Sequence, residues 1–100
     1  MQTLKQAVGI DVSKDELVAC FGSLNTELRH NISSAASFKN NPAGFKALLT
    51  WVNKHADSNL SVWFVMEVTG VYYKNIAHFL ADKDFDLTVL LPNKIKSYMR

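Results

Sequence analysis

Apolar and polar positions alternate with a period of two over residues 6–12. Val8, Ile10 and Val12 share one face of a strand, and Ala7, Gly9 and Asp11 share the other. Residues 16–21 (Glu-Leu-Val-Ala-Cys-Phe) are again strand-like, and the Ser13-Lys14-Asp15 connection is short enough to force antiparallel pairing. After turn residues at 22–25, Leu28, His30 and Ile32 alternate with Arg29 and Asn31, predicting a half-exposed third strand over 27–33. Residues 34–41 are small and polar and read as a loop. The period then changes. Asn41-Pro42 places proline in the first turn of a helix, and Phe45, Leu48, Leu49 and Val52 follow at i, i+3, i+4 and i+7, predicting a helix over 42–54.

Residues 60–66 are almost continuously apolar, the pattern of a strand covered on both faces, and they lead to Glu67. A second helix is predicted over 71–82, with Tyr73, Ile76, Ala77 and Leu80 on one face and Thr69-Gly70 suited to cap it. Residues 87–91 form a last strand, and Pro92 opens a third helix over 93–100. Three strands followed by alternating helix and strand predict one α/β domain, a mixed sheet with helices on its faces.

Composition changes this picture little. One hundred residues, 48% of them hydrophobic and 20% charged, make an ordinary single domain. A net charge of +2 permits nucleic-acid binding without arguing for it. The single Cys20, in an apolar strand, excludes a disulfide framework and reads as a buried, inert thiol. No signal peptide or membrane-spanning run is visible, so a cytoplasmic protein without membrane contact is expected.

Two carboxylates hold equivalent positions, Asp11 and Glu67, each at the end of a predicted strand. If those strands are parallel neighbours, both side chains emerge at the carboxyl edge of the sheet, where open α/β sheets bind ligands. Paired carboxylates there suit Mg2+, a hard cation that takes oxygen ligands. Two such ions about 4 Å apart support in-line displacement at a phosphodiester. Strand-end acids facing water fit the same spacing. His30, His55 and His78 lack the spacing of a helical zinc pair, and Asp82, Asp84 and Asp86 read as a solvated loop. Lys94, Lys96 and Arg100 cluster beside Tyr98, a set able to grip phosphates or to form a solvated helix face.

Residues from both halves of the chain match one pattern. Val8-Gly9-Ile10-Asp11-Val12-Ser13-Lys14, Asn41-Pro42-Ala43-Gly44-Phe45, Glu67-Val68-Thr69-Gly70-Val71-Tyr72 and Leu91-Pro92-Asn93-Lys94-Ile95-Lys96 together resemble the amino-terminal domain of DEDD-type transposases of bacterial insertion sequences. This is the Piv-like group, family one hundred and ten. The resemblance implies a RuvC-like, ribonuclease H-like mixed five-stranded sheet of order 3-2-1-4-5, truncated at its carboxy terminus. It implies that Asp11 and Glu67 are two of four acidic ligands for Mg2+ or Mn2+ in DNA strand cleavage and transfer. The other two aspartates and a carboxy-terminal serine domain would lie beyond Arg100, so residues 1–100 are expected to be an incomplete domain, inactive alone. Lys14, Thr69, Lys94, Lys96 and Arg100 are the candidate nucleic-acid contacts. DNA, an element-encoded guide RNA and further copies of the chain are the implied partners. Asp84 stands where the family often shows glycine.

Two other readings fit parts of the chain. An actin-like or sugar-kinase ATPase lobe also opens on Gly-Ile-Asp, but Val12-Ser13-Lys14 is a poor phosphate cradle and no second glycine-rich segment follows. A non-catalytic scaffold or dimerisation module would make both acids incidental.

Overall fold

The strand-forming runs find their partners in one sheet. The computed structural model describes residues 3–25, 30–57, 60–68 and 70–90. In chain order the elements are β1 (Thr3–Val12), β2 (Glu16–Asn25), β3 (His30–Ile32), β4 (Ala36–Lys39), α1 (Pro42–His55), β5 (Val62–Val68), α2 (Lys74–Asp82) and β6 (Asp86–Leu90). The sheet runs β3-β2-β1-β5-β6, with β4 also paired to β2. β1 is central, antiparallel to β2 and parallel to β5, and β6 extends the parallel half. This is the ribonuclease H-like arrangement that the resemblance implies.

Alternation along β1 places Val8, Ile10 and Val12 in the core beside Leu17, Ala19 and Phe21 of β2 and Val62, Phe64, Met66 and Val68 of β5. α1 covers them with Phe45, Leu48 and Val52, and α2 with Ile76 and Leu80. Full burial of each large side chain stabilises the fold by about 1.5–3 kcal/mol. Leu49, on the predicted apolar stripe of α1, is only half-buried at the margin of this core.

Of the third strand predicted over 27–33, the described part is β3, which ends at Ile32, and residues expected to be a loop contain β4. Ser33 explains the break. Its Oγ accepts from the Phe21 N–H, and its own N–H donates to the Phe21 carbonyl, so the edge strand is pinned and interrupted before pairing resumes at Ala36. The small residues at 33–37 hide that resumption, and Phe38 is the one large apolar side chain in the run.

Among the described residues β5 is covered on one face alone. Val62, Phe64, Met66 and Val68 are buried, while Trp63 and Glu67 are exposed and Val65 is half-buried. Both described helices pack on the same side, and among the described residues no element covers the other. Cys20 lies on that open side and is half-buried, not enclosed as predicted. The Trp63 indole donates to Thr88 Oγ1 (2.9 Å), giving the exposed ring a fixed partner.

Two helix ends follow from single residues. Asn41 caps α1, its Oδ1 accepting from the Gly44 N–H at 2.8 Å, with Pro42 in the first turn. Gly44 sits against the end of β4, where any Cβ would overlap the Lys39 backbone. At the end of α2, Asp84 N–H bonds to the Ala81 carbonyl and Phe85 N–H to that of Leu80, with Asp84 left-handed at φ 63°. Asp84 therefore occupies the conformation that glycine adopts freely, which accounts for the glycine often found there in the family it resembles.

α2 begins at Lys74, three residues later than predicted. Its N-cap is Tyr73, which makes no side-chain cap bond, and not a residue of the Thr69-Gly70 pair predicted to cap it. Thr69, and the third helix predicted over 93–100, lie outside the described residues.

Candidate functional site

Asp11 and Glu67 are direct register partners on the neighbouring parallel strands β1 and β5. Paired strands lie about 4.8 Å apart, so the two carboxylates leave the sheet side by side. Both are exposed and belong to the open face. Their placement follows from the alternation itself, because Ile10 and Val12 flank Asp11, and Met66 and Val68 flank Glu67, and all four point into the core. Val18 of β2 and Leu90 of β6 complete the row on either side. One row below, Gly9 lies between Cys20 and Val65, and a Cβ built there would meet nothing within 4 Å. The floor beside Asp11 is therefore open.

Among the described residues neither carboxylate has a hydrogen-bond or ion-pair partner. Two hard oxygen donors, adjacent and free of a compensating cation, form a donor set that fits Mg2+ or Mn2+. Among the described residues no third His, Cys, Asp or Glu joins them.

The loops that follow the two acids are held close to one another. The Ser13 N–H and Oγ both donate to the Glu16 carbonyl (2.9 and 3.0 Å), closing the β1–β2 turn. Asn40, between β4 and α1, donates from Nδ2 to the Ser13 carbonyl (2.9 Å) and to the Tyr72 carbonyl (3.0 Å). Its backbone N–H bonds to the Asp15 carbonyl. Nothing in a single sequence singles out Asn40, which looks like one more loop residue ahead of the cap. Gln6 is likewise invisible in the sequence. It is buried and ties β1 to the α1–β5 loop through the Asp57 N–H and the Asp57 and Leu60 carbonyls.

Of the other predicted site residues, Lys14 is exposed in the turn just after β1, at the same edge as the acids. Thr69, Lys94, Lys96 and Arg100 lie outside the described residues. Of the acids expected in a solvated loop, only Asp84 lies between elements: Asp82 ends α2, and Asp86 opens β6, pairing with Trp63 at the far end of β5, well away from Glu67. An apolar groove beside Ala7, Gly22, Leu24 and Ile32 lies at the opposite end of β1 from Asp11. Among the described residues no helix is long and apolar enough to cross a membrane.

The family described as transposase, DEDD type, insertion-sequence family one hundred and ten, matches residues 8–100. The pilin gene-inverting proteins of Moraxella bovis and Moraxella lacunata are each 28% identical over 96 residues, which is 96% of this chain. The chain spans 28% of the length of these relatives. Among solved structures, the type II variant of the Aquifex aeolicus Ppx/GppA phosphatase gives a TM-score of 0.49 at 7% identity, over 91% of this chain and 37% of that one. An exopolyphosphatase from Cytophaga hutchinsonii gives 0.48 at 9% identity, over 86% and 34%.

Proposed function

The chain belongs to the DEDD-type transposases of insertion-sequence family one hundred and ten, and on that premise we propose that it is the amino-terminal part of a DNA-cleaving catalytic domain. The observation that carries the reading is the register pairing of Asp11 with Glu67 on the open face. The two carboxylates would hold Mg2+ or Mn2+, and the rest of the ligand set comes from the part of the longer protein that this chain does not span. A bound divalent ion supplies charge neutralisation and Lewis-acid polarisation at a phosphodiester. Asp11 and Glu67 orient that charge through two rigid neighbouring strands, and Gly9 leaves room beside Asp11 for a backbone to approach.

DNA is the proposed substrate. Lys14 at the turn, with Thr69, Lys94, Lys96 and Arg100, provides the proposed contacts to the nucleic acid. Inversion of a pilin gene, for which the Moraxella relatives are named, is one form such strand exchange takes. A guide RNA and a second copy of the chain complete the proposed assembly, and the chain alone is expected to bind the ion without cleaving DNA. The ATPase-lobe reading has less support, because the Ser13 N–H is spent inside its own turn and is not free to cradle a phosphate.

Paramagnetic Mn2+ tests the reading. In a nitrogen-edited NMR titration, amides next to Asp11 and Glu67, including those of Val12 and Val68, are expected to broaden first. Broadening that starts instead at Asp82, Asp84 and Asp86 would contradict the proposal.

A further inference from the structure

The strand pairing that fixes Asp11 beside Glu67 stops one residue later, at Val12 and Val68. Beyond that point the two chains part, one turning into β2 and the other running toward α2. Two like charges left side by side repel, and nothing in the sheet opposes their divergence past its last pair. Asn40 does. One carboxamide nitrogen carries two protons, and here one goes to the Ser13 carbonyl, two residues after Asp11, and the other to the Tyr72 carbonyl, five after Glu67. Among the described residues no other side chain bonds to both loops.

Asn40 is itself held in place. Lys39 before it pairs with Glu16 of β2. Its own N–H bonds to the Asp15 carbonyl. The donor is thus fixed by a strand and a turn at once, and it has little freedom to follow a drifting loop.

We propose that Asn40 is a positioning residue that sets the separation of the Asp11 and Glu67 carboxylates by clamping the loops that follow them. The inference rests on the reading of those acids as a divalent-cation site. The groups that orient metal ligands without touching the ion commonly change metal affinity by about ten- to a hundredfold when removed. Asn40 is expected at the low end, because both of its acceptors are backbone carbonyls a few residues from the ligands.

The test compares wild type, Asn40→Ala and Asn41→Ala as whole chains, at a temperature where circular dichroism shows each one folded. Asn41→Ala removes the neighbouring helix cap and touches neither loop, so it controls for a merely structural loss. Mn2+ affinity is read by electron paramagnetic resonance of the free ion, and amide exchange is followed by NMR. Asn40→Ala is expected to weaken Mn2+ binding about tenfold and to speed exchange at the Ser13 and Lys74 amides, whose bonds close the two loops. Asn41→Ala is expected to leave both within twofold of wild type. Unchanged affinity in Asn40→Ala, or an equal loss in Asn41→Ala, overturns the inference. If wild type shows no Asp11-dependent Mn2+ binding, the cation-site reading fails, and the clamp is then judged on exchange alone. Faster exchange at both amides in Asn40→Ala upholds it, and unchanged protection removes it.

Discussion

At the scale of single residues, the site is two acids that the sheet would do better without. Asp11 and Glu67 occupy adjoining positions on parallel strands, with no cation among the described residues to offset either. Like charges in such a pair destabilise a sheet, though solvent screens much of the effect at an exposed position. Asp11→Asn is therefore expected to leave the cation-free fold as stable as wild type or more so, by about a few tenths of a kcal/mol. Glu67→Gln should behave alike, and the double variant should add little, because both remove one interaction. Urea denaturation in the presence of a chelator checks this. A loss of more than about 1 kcal/mol in Asp11→Asn, a large effect for an exposed residue, would mean that the carboxylate holds the fold together.

Elements show what the sequence reveals and what it conceals. Period-two alternation in β1 and helical spacing in α1 reappear as elements because each pattern is close to the burial pattern, and the apolar run of β5 reappears as a strand with alternate residues buried. The pairing of Asp11 with Glu67 was legible for the same reason, since both acids close strands of matching polarity. β4 was not, because an edge strand buries little and needs few large apolar residues. The uncovered face of β5 was hidden too, as an apolar run does not record whether a partner layer lies on it. The Asn40 clamp depends on backbone carbonyls, which leave no mark on residue type. Gly44 shows the reverse case, a small residue with a large consequence. A methyl group there would meet the backbone of Lys39, which cannot move without disturbing its pairing with Glu16. Gly44→Ala is expected to destabilise the chain by about 1–3 kcal/mol, the usual cost of overpacking, despite the better helix propensity of alanine. A melting temperature equal to wild type would show that α1 can slide on β4.

For the whole molecule, a single sheet carries its described helices on one side and its acids on the other. Structural and chemical roles are thereby separated by face. The packed face, from Val8 to Leu80, supplies the stability, and the open face supplies Asp11, Glu67 and the free space at Gly9. A cation that bridges the acids binds the folded state and not the unfolded chain, so it must raise stability by RT ln(1 + [L]/Kd). With only two carboxylates contributed, the affinity is expected to be on the order of millimolar, the range of sites with few charges.

Thermal denaturation across a Mg2+ titration, for wild type and Asp11→Asn in parallel, decides whether the two acids form one cation site. At about ten times Kd the gain is ~1.4 kcal/mol, which for a chain of this size is a rise of roughly 5–10 °C in melting temperature. A cation held by Asp11 and Glu67 gives that rise for wild type at constant ionic strength and none in Asp11→Asn. An equal rise in both proteins would contradict it, because the cation would then be acting somewhere other than the pair that Asp11 forms with Glu67.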